Sequence, residues 1–211
     1  MFLNIPPLIT IIIGSVLFLI LLLIFIIVLV NILNKKRIEK MFLNVNTLLN
    51  KIVDCDKESS SLNKIEYESK KSPRLPYDFI LDTESYRYYI KVVDNHSCAE
   101  ICVNNSVKWQ IRKSFNDESM RFVPEIEELM RMELPKDEIR IPKKLYIIYP
   151  GARSLLRYIN ECEMEFVHPN TDVYGTNIVS YNDLIENIDF IPRKINRKEK
   201  EDKNIQLSLK I

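Results

Sequence analysis

The sequence predicts a membrane-anchored α/β (α+β) protein, an N-terminal transmembrane helix followed by a mixed β-sheet flanked by helices. Three observations predict it. Residues 1–34 of the 211 carry no charged side chain, so all 30 Lys+Arg and 29 Asp+Glu fall in the remainder. Beyond that stretch, β-branched and aromatic residues cluster in short runs between turn residues, and from Val123 onward helical spacing enters. Short connections between strand-like and helix-like segments then imply a parallel β-α-β crossover. Three glycines, four cysteines and abundant large apolar side chains exclude a collagen, a disulfide scaffold and a fully disordered chain.

The first element is the span itself. Leu8 to Val30 is uncharged, relieved only by Thr10, Gly14 and Ser15. At 1.5 Å per residue it covers about 34 Å, enough to cross a hydrocarbon core of about 30 Å. A lone segment there must be helical, because every backbone polar group has to be satisfied internally. Met1–Pro7 has no basic residue and no small-residue cleavage site follows, so an uncleaved anchor is expected rather than a signal peptide. Lys35, Lys36, Arg37 and Lys40 follow the span, and the positive-inside rule places residues 35–211 in the cytoplasm. The expected location is the cell membrane, single-pass, with the amino terminus outside. Cys55, Cys98, Cys102 and Cys162 are then expected as reduced thiols. In that topology the sequons at Asn95 and Asn104 are not acceptors.

Four regions are expected: the anchor at 1–34, a juxtamembrane helix and polar linker at 35–72, an α/β domain at 73–191 and a basic tail at 192–211. In the juxtamembrane helix, Ile38, Phe42, Val45, Leu49 and Ile52 form a short heptad stripe. It suits self-association through residues 35–53, a helix lying on the inner leaflet, or packing onto its own domain. Within 73–191 the expected order is β-β-β-β, then α-β-α-β-β-α. The strands are Tyr77–Leu81, Tyr86–Val93, Ala99–Val103, Val107–Arg112, Leu145–Tyr149, Met164–Val167 and Ile178–Tyr181. The first four are read as consecutive antiparallel strands. The helices are Val123–Met132, Ala152–Cys162 and one after Ile178–Tyr181 capped by Asn182 or Asp183. In the tail, Ile205, Leu207, Leu209 and Ile211 alternate with polar residues and could add an edge strand to the sheet or to a partner.

Pro76-Tyr77-Asp78-Phe79-Ile80-Leu81 precedes Tyr88-Tyr89-Ile90-Lys91-Val92, and the hairpin Ala99–Arg112, the Lys144–Gly151 strand and turn and the Ser180–Ile188 segment follow. This arrangement resembles the restriction-endonuclease-like, or PD-(D/E)xK, nuclease superfamily over about residues 73–191. The resemblance implies Asp78 as a catalytic residue that holds Mg²⁺, and Lys91 as the lysine that steadies the attacking water or the developing charge. The motif's second acid, two residues before the lysine, is here Tyr89. An active site would need a displaced carboxylate, for which Glu128 is the leading candidate, with Glu127 and Glu100 behind it. The expectation is therefore a nuclease-like domain without catalysis, needing no cofactor and used for protein binding or assembly at the membrane. The alternatives are a membrane-tethered Mg²⁺-dependent endonuclease and a dimerising scaffold.

Charge partition bears on the partners. Residues 73–191 hold 14 basic and 20 acidic side chains, whereas 35–72 hold 9 against 6 and 192–211 hold 7 against 3. Phosphate binding needs positive charge along the strand path, so the acidic core argues against nucleic acid. The basic collar beside the span suits anionic lipid. His96, Cys98 and Cys102, with Cys162 or His168, have the chemistry of zinc ligands but no paired CxxC knuckle, and buried thiols are the expectation. Pro150-Gly151-Ala152-Arg153-Ser154 is read as a turn entering a helix whose N-terminus could hold an anion. Trp109 is read as core.

Overall fold

A computed structural model describes residues 7–55, 60–64, 75–103, 109–112, 121–122, 129–135, 139–160, 163–169 and 171–194. The chain divides into two compact units, Met1–Met41 and Phe42–Ile211.

The first unit is the greater part of one continuous helix, α1 (Pro7–Cys55), which does not break where the apolar span ends. Every residue from Val16 to Val30 is exposed. Such a surface, on a helix long and apolar enough to cross a membrane, is stable in lipid and costly in water.

In the second unit the carboxyl-terminal part of α1 lies against a sheet. Val45, Leu49 and Ile52 are fully buried, Phe42 meets Phe79 with ring centroids 6.2 Å apart, and Asn44 donates to the Tyr149 hydroxyl at 2.8 Å. Of the three uses of the heptad stripe, packing onto the chain's own domain is what residues 42–52 display.

Among the described residues, eleven strands form two sheets. They are β1 (Ser61–Lys64), β2 (Phe79–Asp82), β3 (Tyr86–Asp94), β4 (Glu100–Val103), β5 (Trp109–Arg112), β6 (Arg121–Phe122), β7 (Ile141–Tyr149), β8 (Leu155–Asn160), β9 (Glu163–Phe166), β10 (Asp172–Val173) and β11 (Thr176–Ser180). The first sheet runs β1-β2-β3-β7-β11-β10 and the second β6-β5-β4-β8-β9. In the first sheet β3, β7 and β11 are mutually parallel, and β1-β2 and β10 flank them antiparallel. The chain reaches β7 from β3, and β11 from β7, by way of the second sheet. A core of Tyr89, Val93, Tyr146, Ile148 and Ile178 from the first sheet with Ile101, Val103 and Trp109 from the second lies between them. The opposite face of the first sheet, with Phe79, Leu81, Ile90, Leu145 and Ile147 buried, takes α1. Central strands buried on both faces explain the near-continuous apolar runs in β3 and β7.

Several expectations need correction. The four consecutive antiparallel strands do not exist, because β4 and β5 leave β3 and build the second sheet. Of the expected Ala152–Cys162 helix, the described residues 152–160 are not helical. Leu155 packs on the core, Leu156 is buried on the opposite face, and β8 pairs in parallel with β4. Leu155, Leu156 and Ile159 satisfy helical spacing equally well, and Ile159 is exposed. A short apolar run cannot distinguish the two states by period alone. The turn at Pro150–Ser154 therefore enters a strand, and the helix N-terminus read there for an anion is absent.

The linker at 54–72 contains β1, which pairs with β2, so the compact unit begins before Pro73. The last helix, α2 (Tyr181–Glu186), is capped by Ser180, whose Oγ accepts from the Asp183 N–H, and not by Asn182 or Asp183. An unforeseen hairpin joins β10 to β11 through Tyr174 and Gly175, both at positive φ. That is the backbone twist a two-residue turn between strands requires. The tail is anchored at its start: Tyr88 donates to the Pro192 carbonyl at 2.7 Å and the Ser85 N–H to that of Arg193 at 3.1 Å. Of the Val123–Met132 helix, 129–131 are helical and 123–128 lie outside the described residues, as do Cys162, Asn104 and everything after 194.

Candidate functional site

The pair Asp78 and Lys91 is brought together by the β2-β3 hairpin. Register sets Phe79 opposite Ile90, so Asp78 arrives just before the ladder, beside Lys91. The Asp78 N–H donates to the Ile90 carbonyl at 2.7 Å. Its Oδ1 accepts from Lys91 Nζ at 3.2 Å and its Oδ2 from the Val92 N–H at 2.8 Å. β3 extends past the first residue of β2, and the Asp78 carboxylate stands in for the strand carbonyl that Val92 would otherwise lack. Both side chains are nearly buried, at 12% exposure for Lys91 and 9% for Asp78. Lys91 shares the inward face of β3 with Tyr89 and Val93, so a counter-charge is needed there.

Tyr89, at the motif's second acidic position, is buried in the core and meets Tyr77 edge-on with centroids 5.0 Å apart. Glu127 and Glu128 lie outside the described residues. Glu100 is on the second sheet, held by partners of its own. Magnesium requires several hard oxygen ligands. Asp78 offers one carboxylate with an ammonium against it. Among the described residues no three His, Cys, Asp or Glu side chains gather where they could hold one ion. The described residues therefore do not fit a Mg²⁺ centre, nor do His96, Cys98, Cys102 and His168 form a zinc site. Cys98 is exposed and Cys102 is buried.

A second polar cluster escaped the sequence reading. Register places Glu100 opposite Arg112, and Arg112 Nη2 donates to Glu100 Oε1. Ser154 Oγ donates to Glu100 Oε2 at 2.8 Å, and Arg112 Nη2 lies 3.5 Å from Cys102 Sγ. Burial works to raise the Glu100 carboxyl, but the Ser154 hydroxyl and the Arg112 guanidinium outweigh it and hold the group below the usual glutamate range. Burial pushes the Cys102 thiol up, which favours its protonated form. The cluster is a polar lock across β4, β5 and the residue before β8. Neither partner of Glu100 was legible: a hairpin centred on Asn104–Ser106 would set Glu100 opposite Gln110, whereas the observed register sets it opposite Arg112, and Ser154 carried no sequence signal.

Asn95 is a third polar anchor. It is buried, its side-chain amide donates to the carbonyls of Ala99 at 2.9 Å and Gly151 at 2.8 Å, and its Oδ1 accepts from the Ala99 N–H. It ties the β3–β4 connection to the β7–β8 connection, and no hydrogen of its amide is left for a glycan.

Compared with known proteins, the chain matches no family model, no curated protein and no solved structure.

Proposed function

We propose that the chain is a single-span membrane protein, amino terminus outside, that displays a non-catalytic α/β domain on the cytoplasmic side, where it binds a protein partner or organises an assembly. In this reading the domain is a restriction-endonuclease-like fold whose acidic motif has degenerated. The observation that carries it is the commitment of Asp78, whose two carboxylate oxygens serve Lys91 and the Val92 N–H inside the fold. The acidic balance of residues 73–191 and the tyrosine at position 89 point the same way.

A second reading, a membrane-tethered Mg²⁺-dependent endonuclease with Glu128 as displaced acid, draws on the meeting of Asp78 and Lys91 at 3.2 Å. The detergent-solubilised full chain, incubated with Mg²⁺ or Mn²⁺ and labelled DNA or RNA, separates the two. The first reading expects no cleavage above a buffer blank. Metal-dependent cleavage that disappears in both Asp78→Ala and Lys91→Ala would replace it with the second.

A further inference from the structure

Among the described residues the second sheet ends at β9, and that edge is unusual for this molecule. β6 and β10 are two-residue edges, and β1 reads Ser-Leu-Asn-Lys. β9 reads Glu-Met-Glu-Phe, and its two apolar side chains are out in solvent, Met164 at 41% and Phe166 at 66% exposure. Both project from one face, since Leu156 stands opposite Phe166 and Tyr158 opposite Met164. The Val167 N–H donates to the Leu155 carbonyl at 2.8 Å. With the two-residue period of a strand, the Glu165 amide also turns toward β8, and those of Met164 and Phe166 turn to the open edge. An open edge carrying apolar side chains is a template for another strand.

We propose that residues 205–211 of the same chain add to the open edge of β9 as a sixth strand of the second sheet. Ile205, Leu207, Leu209 and Ile211 alternate with Gln206, Ser208 and Lys210. Laid on β9 with its apolar side chains on the Met164 and Phe166 face, the segment puts Lys210 on the face of Glu163 and Glu165. Glu163 is exposed and bonded only to Asn160 among the described residues, while Glu165 pairs with Arg157. The tail is fixed to the domain as far as Lys194, which pairs with Glu84 at 3.0 Å. The ten residues 195–204 reach about 33 Å when extended, the scale of a small domain.

Amide hydrogen exchange on the full chain in detergent micelles tests this, read at single residues by mass spectrometry. The natural chain is compared with a chain ending at Lys203 and with the full-length double variant Leu207→Asp/Leu209→Asp. The Met164 and Phe166 amides are expected to exchange about 10-fold faster in both variants, with Glu165 and Val167 unchanged. Equal rates in all three chains would overturn the proposal. So would acceleration shared by Glu165 and Val167, which reports general loosening. Protection that fades on dilution of the natural chain would assign the added strand to a second copy, and would overturn it too.

Discussion

Asp78 illustrates how a residue type suited to catalysis can be spent on structure. Its carboxylate compensates a nearly buried ammonium and satisfies a strand N–H beyond the first residue of β2. Asp78→Ala leaves both groups without that partner, and the expected loss is about 3–5 kcal/mol. Asp78→Asn keeps an acceptor for Val92 and is expected to cost about half as much. Urea unfolding of the solubilised chain, followed by the fluorescence of the single buried tryptophan, Trp109, measures both; equal losses would refute the division of roles. Glu100 makes a pH prediction. Its proton is bound less readily in the folded chain than in the unfolded one, where glutamate titrates near about 4.3. Its contribution to stability is therefore complete above about pH 5 and is lost as pH falls through the lower folded value. Glu100→Gln should flatten that acid limb of the stability curve, and an unaltered limb would show that other carboxylates set it.

At the scale of elements, α1 combines a stretch long and apolar enough to cross a membrane with a carboxyl-terminal part that belongs to the core. Its stripe was legible as a stripe, but what it packs against was not, because an amphipathic face states only that something covers it. Since Leu49 is fully buried and Leu43 exposed, Leu49→Ala is expected to cost about 2–5 kcal/mol. Leu43→Ala should stay within about 0.5 kcal/mol. The same unfolding measurement compares them, and similar losses would mean that α1 does not pack as described. Strands with strong β-branched and aromatic content, β3 and β7 above all, were legible from composition. β8 was not, because Leu155, Leu156 and Ile159 fit either period, and its partner β4 is more than fifty residues earlier in the chain. β1 was illegible for a different reason: Ser-Leu-Asn-Lys has no strand signature and is held by backbone pairing with β2.

For the whole molecule, the formal net charge of +1 is the balance of an uncharged span, a basic collar, an acidic domain and a basic tail. That partition underlies the proposed orientation. Cys55 and Cys98 are exposed and report it directly. In intact cells a membrane-impermeant maleimide should label neither, and both should react once the membrane is permeabilised. Labelling without permeabilisation would reverse the topology and, with it, the proposed partner compartment. Cys102, buried beside Arg112, should label only on unfolding.

What the sequence determined by itself is whatever depends on neighbours along the chain. The span follows from an uninterrupted apolar run, the expected orientation from the charges beside it, and the β2-β3 hairpin from two β-rich runs around Asp82–Ser85. That hairpin set Asp78 and Lys91 on neighbouring strands, but whether their side chains meet was not legible. Tertiary structure alone decided which sheet each later strand joins. Strand edges offer the same backbone donors and acceptors wherever they lie, so the choice between extending the first sheet and founding a second falls to burial of both faces of β3 and β7. It also decided that the Asp78 carboxylate is occupied by Lys91 and Val92, a matter of where β2 begins relative to β3, which no local pattern encodes.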